Sequence, residues 1–312
     1  MKRNIYSYSK LWIIFFALMG AACTNQVEDV IPVSGQPIEF SVQSDWKEIP
    51  NTRLNDGKPQ FGAKDTIQIF GFHKSFSGGV EKVQKFMYSV NEQGRGQKVG
   101  YDGKVWNYSP KRFWSKEGTL DFYASYPQYS VLNLEDNPRM TYEQTVNPLQ
   151  LDLLWGVSLG HNCATDRNTK VEVTMKHALA KVIILFDEKS LGKITHAKVS
   201  AYKKGCFSKI NADSIPDWEV DKSDKNIIKD VPFSPYEEQP TIGDATVFIL
   251  PDRITGLKLT TLDGNKEIDV SDKIQKYTFQ AGKLYELRIS KGVQKKNTNS
   301  RSIAMSVRCV SE

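Results

Sequence analysis

Short runs of alternating apolar and polar residues, each closed by a turn signal, constrain this chain more than any other feature. Ile38, Phe40 and Val42 alternate with polar neighbours, and Thr66–Phe72, Lys82–Val90, Lys98–Tyr101, Lys104–Tyr108 and Thr119–Tyr126 continue as β-like runs. A period of two puts every second side chain on one face, which is the signature of a half-buried strand. Later runs, rich in Val, Ile and Leu, are Lys170–Met175, Leu179–Phe186, Thr195–Tyr202, Thr246–Leu250, Leu257–Leu262, Glu267–Val270, Lys276–Phe279 and Leu284–Ser290. Asp102-Gly103 and Asp263-Gly264 sit between such runs. Both turn residues tolerate the positive φ that a tight hairpin requires. Amphipathic helices longer than two turns are hard to find. The expected fold is all-β, built as β-sandwiches.

A chain of 312 residues has room for two such domains. The polar stretch His161–Thr169 interrupts two strand-rich halves. It places an N-terminal sandwich over residues 36–166 and a C-terminal one over 167–290. Residues 214–245, with Pro216, Pro232, Pro235 and Pro240, read as a long insertion of low periodicity. Beyond Ser290 a polar linker leads to Ile303, Met305, Val307 and Cys309, which alternate with Ala304, Ser306, Arg308 and Val310. Residues 291–312 therefore read as a flexible leash ending in one more strand.

The chain begins with an export signal. Lys2, Arg3 and Lys10 form a basic region, and Leu11–Met19 is an apolar stretch too short to span a bilayer comfortably. Gly20, Ala21 and Ala22 then precede Cys23. This order resembles a bacterial lipobox, with Gly20 where Leu is usual, and implies cleavage after residue 22 and acylation of the Cys23 thiol. An ordinary secretory signal is the alternative; either one takes the protein out of the cytoplasm. Residues 24–35 read as a tether and 50–60 as a polar loop bearing Pro and Gly.

Charge excludes one class of partner. Of 42 Lys and Arg, the signal holds three, leaving 39 against 36 Asp and Glu, a surplus of three. That is no nucleic-acid-binding surplus. Cys163, Cys206 and Cys309 lie far apart, match no metal motif, and cannot all pair within the chain. One disulfide among them fits an oxidising compartment; the spacing does not say which. No metal or other cofactor is expected.

Residues 101–129 hold Tyr101, Trp106, Tyr108, Phe113, Trp114, Phe122, Tyr123, Tyr126 and Tyr129. Exposed flat rings would make a sugar platform; the favoured reading is core filling, as for Trp155. His177, among apolar neighbours, reads as a packed, hydrogen-bonded histidine. His161 and Cys163 lack an orienting partner and give little support for a thiol nucleophile. Gly94–Gly100 lacks the ending of a phosphate loop. No catalytic set emerges.

Several segments taken in order resemble the fimbrillin family, the Mfa-like (type V) pilin subunits of Bacteroides-type bacteria. They are Cys23, Pro37–Val42, Thr52-Arg53, Asp65–Phe72, Trp106–Pro110, Arg112–Trp114, Leu120–Pro127, Asp152–Trp155 and Met175–Val182. The resemblance implies two transthyretin-like β-sandwiches, no enzymatic activity, and export as a lipoprotein precursor, anchored to the outer membrane by palmitate or a similar acyl chain on Cys23. It implies that a trypsin-like protease cuts after Arg53, freeing the strand of Ile38, Phe40 and Val42 and opening a groove. A terminal strand of a neighbouring pilin subunit then fills the groove in a cell-surface fimbrium that supports adhesion. Ile303, Met305, Val307 and Cys309 are the candidate donor residues, although the same strand can instead pair within its own domain. The alternative function is a surface lipoprotein of the same fold that binds a glycan or host protein without polymerising.

Overall fold

A computed structural model describes residues 35–44, 61–89, 91, 94–127, 140–143, 152–187, 191–210, 216–223, 225–232, 246–262, 266–291 and 303–310. The expected signal, Cys23, the tether and the loop carrying Arg53 lie outside the described residues. Strands dominate. In chain order the first nine are β1 (Phe40–Ser44), β2 (Thr66–Ser77), β3 (Val80–Met87), β4 (Gln97–Tyr101), β5 (Trp106–Asn107), β6 (Thr119–Tyr126), β7 (Met140–Glu143), β8 (Leu154–Asn162) and β9 (Val171–His177). Then come β10 (Ala180–Phe186), β11 (Ile194–Tyr202), β12 (Lys204–Ile210), β13 (Pro216–Val220), β14 (Lys225–Pro232), β15 (Thr246–Ile249), β16 (Ile254–Thr261) and β17 (Glu267–Asp269). A single helical turn, α1 (Ser271–Ile274), precedes β18 (Leu284–Lys291) and β19 (Ile303–Val310). The all-β expectation holds.

The strands form an eight-stranded sheet in the order β1-β9-β8-β6-β2-β4-β5, with β3 added on β2. Two four-stranded sheets follow, β15-β10-β18-β19 and β14-β11-β16-β17, together with a three-stranded sheet β13-β12-β7. The last strand of the large sheet in chain order is β9, which ends at His177 and pairs with both β1 and β8.

Three apolar cores follow from the alternation. Ile67 and Ile69 on β2 point into one core with Ile38, Phe40, Val99, Trp114, Leu120, Phe122, Val171 and Val173. Phe70 and Phe72, on the opposite face of β2, enter another with Trp155, Leu179, Phe207 and Phe248. A central strand covered on both faces reads as a continuous apolar run, as Thr66–Phe72 does. Gln68, buried within it, is satisfied: its amide donates to Ser125 Oγ at 2.8 Å, and its carbonyl accepts from Gly96 N–H at 3.2 Å. The third core fills the space between the two four-stranded sheets, with Val182, Ile184, Val199, Val247, Leu257, Leu259 and Leu287.

Some segments depart from the sequence reading. Lys276–Phe279 is a loop after α1. Its alternation comes from Phe279, buried against Tyr285 with its N–H donating to the Asp252 carbonyl at 2.6 Å. The 214–245 stretch contains β13 and β14. β12, with Lys204 and Lys209, has too little apolar alternation to be read as a strand. The Asp102-Gly103 turn joins β4 to β5 as expected, and Asp102 Oδ1 accepts from the N–H groups of Lys104 and Val105, each at 2.8 Å.

Candidate functional site

The first strand has an unusual seat. Its pairing changes flank partway along. Pro37 bridges Phe113 antiparallel, the Ile38 N–H donates to the Arg112 carbonyl at 2.9 Å, and the Trp114 N–H donates to the Gln36 carbonyl at 3.3 Å. From Glu39 onward the partner is β9. Val171 N–H donates to the Glu39 carbonyl at 2.8 Å, and β1 then runs parallel to β9 from Phe40–Val171 to Ser44–Met175. Residues 36–44 thus lie between two parts of the chain that are distant in sequence.

The side chains explain why the segment stays. Ile38 is fully buried and Phe40 nearly so, whereas Val42 is half-buried. Phe40 meets the edges of Tyr108 and Phe122, with centroids 5.8 and 5.4 Å apart. Burying an Ile and a Phe contributes about 1.5–3 kcal/mol each, before the entropy of ordering the segment. Two aromatic donors clip the backbone. The Tyr108 hydroxyl donates to the Ile38 carbonyl at 2.8 Å, and the Trp106 indole N–H to the Val42 carbonyl at 3.3 Å. Burial pushes the Tyr108 phenol up to about 12, so it stays a neutral donor near neutral pH. The Glu39–Lys170 ion pair, at 3.4 Å, is exposed and adds little.

Lifting residues 36–44 out would leave β9 with one edge unpaired, remove the bonds that Ile38 and Gln36 make to the Arg112 carbonyl and the Trp114 N–H, and open a slot lined by Tyr108, Phe122, Val171 and Val173. Such a slot accepts an extended segment with apolar residues at every second position. The expectation for Ile38, Phe40 and Val42 thus falls on a strand bound in its own groove.

The C-terminal strand is placed otherwise. β19 pairs antiparallel with β18, from Leu284–Val310 to Lys291–Ile303, so Ile303, Met305, Val307 and Cys309 sit in the chain's own sheet. β19 is the edge of that sheet. The structure does not bring it to the first strand's groove.

The remaining candidates resolve simply. Trp106, Tyr108, Trp114, Phe122 and Trp155 are buried in the cores, and Tyr101, Phe113, Tyr123 and Tyr126 are half-buried. Tyr129 lies outside the described residues. His177 Nδ1 meets Asp152 Oδ2 at 2.5 Å, the hydrogen-bonded, packed histidine expected. His161 Nε2 meets Ser158 Oγ at 2.8 Å, not the Cys163 thiol. Cys163 is buried, which pushes its thiol up, away from the reactive thiolate. Neither Cys163 nor Cys206 is in a disulfide. Among the described residues no cluster of ligating side chains could hold a metal, and no helix is long and apolar enough to cross a membrane. The clip formed by Trp106, Tyr108 and the Arg112 carbonyl was not legible in the sequence, where its aromatics looked like any others in a dense cluster.

Fold and site define an all-β protein whose distinguishing feature is a first strand laid between distant parts of its own chain. The sequence profile of the fimbrillin-like proteins matches residues 52–304, and the chain belongs to that family, which is structural rather than enzymatic. A protein from Bacteroides uniformis ATCC 8492 assigned to cell adhesion shares the fold, with 16% identity, a TM-score of 0.53, and coverage of 89% of this chain and 98% of its own. Another from Bacteroides ovatus ATCC 8483, also assigned to cell adhesion, is 14% identical with a TM-score of 0.50, over 89% of this chain and 99% of its own. No curated protein matches this chain.

Proposed function

We propose that this protein is a pilin-like adhesion subunit of a cell-surface fimbrium, exported as a precursor lipidated on Cys23 at the outer membrane. Cleavage after Arg53 frees residues 36–44, and a strand from another subunit takes their place. The single observation that carries this reading is the seat of Ile38 and Phe40. They occupy a deep slot, are clipped by Tyr108 and Trp106, and connect to β2 only through the segment that holds Arg53. Ile303–Val310 is the donor, leaving its edge position on β18 to enter a neighbour's groove. Membership of the fimbrillin-like family supports the same reading.

The experiment is limited digestion of the folded protein with an Arg-specific protease, followed by N-terminal sequencing and incubation with a peptide of residues 301–312. The expected result is a first cut after Arg53, a new N-terminus at Leu54, and stoichiometric capture of the peptide. A first cut elsewhere overturns the maturation site. A clean cut without capture overturns the exchange. Mass analysis of the protein from intact cells tests the lipid on Cys23.

A further inference from the structure

The β2–β3 hairpin carries a second interaction surface that the groove does not explain. Its turn, Gly78-Gly79, has φ of +63° and +80°, values that glycine adopts without strain. Among the described residues β3 pairs only with β2, and residues 80–85 are all exposed. Val83 is 44% exposed, and Phe76 on the facing strand is 77% exposed.

The hairpin register determines which backbone groups face outward. Ser77 opposes Val80 across the two-residue turn, and Val83 opposes Lys74. A two-residue turn of this kind closes on a hydrogen-bonded pair, and the pairs alternate from there. Val80, Lys82 and Gln84 therefore direct their N–H and C=O groups to β2. Glu81, Val83 and Lys85 direct theirs away from it, along the open edge. The same three side chains share one face of the strand.

We propose that β3 is the docking edge for a second copy of this chain, in antiparallel pairing centred on Val83. Pairing on a two-fold axis is self-complementary, so each residue meets the one placed symmetrically about the centre. Centring on Val83 sets Val83 against its equivalent, Glu81 against the second copy's Lys85, and Lys85 against its Glu81. All three pairs use outward-facing backbone groups, and both ion pairs join opposite charges. Lys82 then faces Gln84, not another lysine. The other centres fail. A centre on Lys82 would set Lys82 against its equivalent, and a centre on Gln84 would set Lys85 against Val83 and Glu81 against Met87, joining no opposite charges. Glu81 would meet Glu81, and Lys85 would meet Lys85. Among the registers that use the outward-facing backbone groups, only the Val83 centre joins opposite charges on both sides. No strand leaves its subunit, so the contact joins two large sheets side by side and is independent of strand exchange.

The test is cysteine cross-linking of the full-length chain in cells that export it, followed by non-reducing electrophoresis. Equivalent residues at the centre of a hydrogen-bonded pair lie about 5.5 Å apart at Cα, within disulfide reach. Val83→Cys should give a reducible dimer. Lys82→Cys, whose equivalents are two residues out of register, should not. Glu81→Lys or Lys85→Glu added to Val83→Cys should each abolish the dimer, because like charges then meet twice. Co-expressing these two double variants should restore it, since the mixed pair sets two lysines of one copy against two glutamates of the other. Absence of the Val83→Cys dimer, equal cross-linking at Lys82→Cys, or failure of the mixed pair to restore it would overturn the proposal.

Discussion

The Tyr108 hydroxyl donates to the Ile38 carbonyl at 2.8 Å, across 70 residues of sequence, and so fastens the first strand to the large sheet. Replacing it by Tyr108→Phe removes the donor and leaves a buried carbonyl without it. The expected cost is about 1–2 kcal/mol in urea denaturation. The same variant should also release residues 36–44 faster once the chain is cut after Arg53.

That phenol also makes stability depend on pH. It donates only while protonated, and burial raises it in the folded state to about 12, above an unfolded value of about 10. Its contribution is therefore full below about pH 10 and is lost as pH climbs through the folded value. Tyr142, also buried, is shifted in the same direction. Denaturation midpoints should fall steeply in alkali, and less steeply in Tyr108→Phe. Equal slopes would show that the phenol titrates freely.

Phe40→Ala should destabilise the uncut protein by about 3–5 kcal/mol, because a cavity forms beside Phe122 and Tyr108. If the strand departs on maturation, the variant and the parent should be equally stable after cleavage and exchange. A persistent difference would mean that Phe40 never leaves the core.

Lys74 and Asp121 make a 2.6 Å ion pair in which the lysine side chain is 35% exposed and the aspartate 5%. Asp121 also accepts from Gly160 N–H at 2.7 Å. Lys74→Met leaves a buried carboxylate without its cation, at a cost of about 2–3 kcal/mol at neutral pH. The deficit should shrink in alkali, as the parent's Lys74, held above its ordinary value by its hydrogen bond to Asp121, loses its proton. A pH-independent deficit in thermal melts would point instead to lost packing.

Deleting residues 301–312 removes one edge strand and leaves β10, β15 and β18 paired. The deletion product should keep its β-type circular dichroism, yet fail to assemble after Arg-specific cleavage, as read by light scattering. An unfolded product would place β19 within the subunit's own obligatory core.

Much of the fold was legible because the side-chain period is local. Thr119–Tyr126 was read to the residue, and β9, β10, β11 and β18 to within a residue or two. Misreadings have local causes as well. Phe279 mimicked a strand residue because a buried loop also needs apolar anchors, and β12 was missed because its sequence, Lys204-Gly-Cys-Phe-Ser-Lys-Ile210, carries little apolar alternation. The seat of the first strand was half legible: Ile38, Phe40 and Val42 stood out, whereas the residues that hold them did not.

By itself the sequence determined the strand period, the Asp102-Gly103 turn and the terminal alternating segments, all properties of neighbouring residues. Only the tertiary structure decided which strand meets which. It set β1 parallel to β9, with Gln43 donating to Thr174 across 131 residues, and β19 on β18. Alternation says that a strand has an apolar face, not which sheet covers it. That choice rests on backbone edges and pockets that exist only when the rest of the chain has assembled around them.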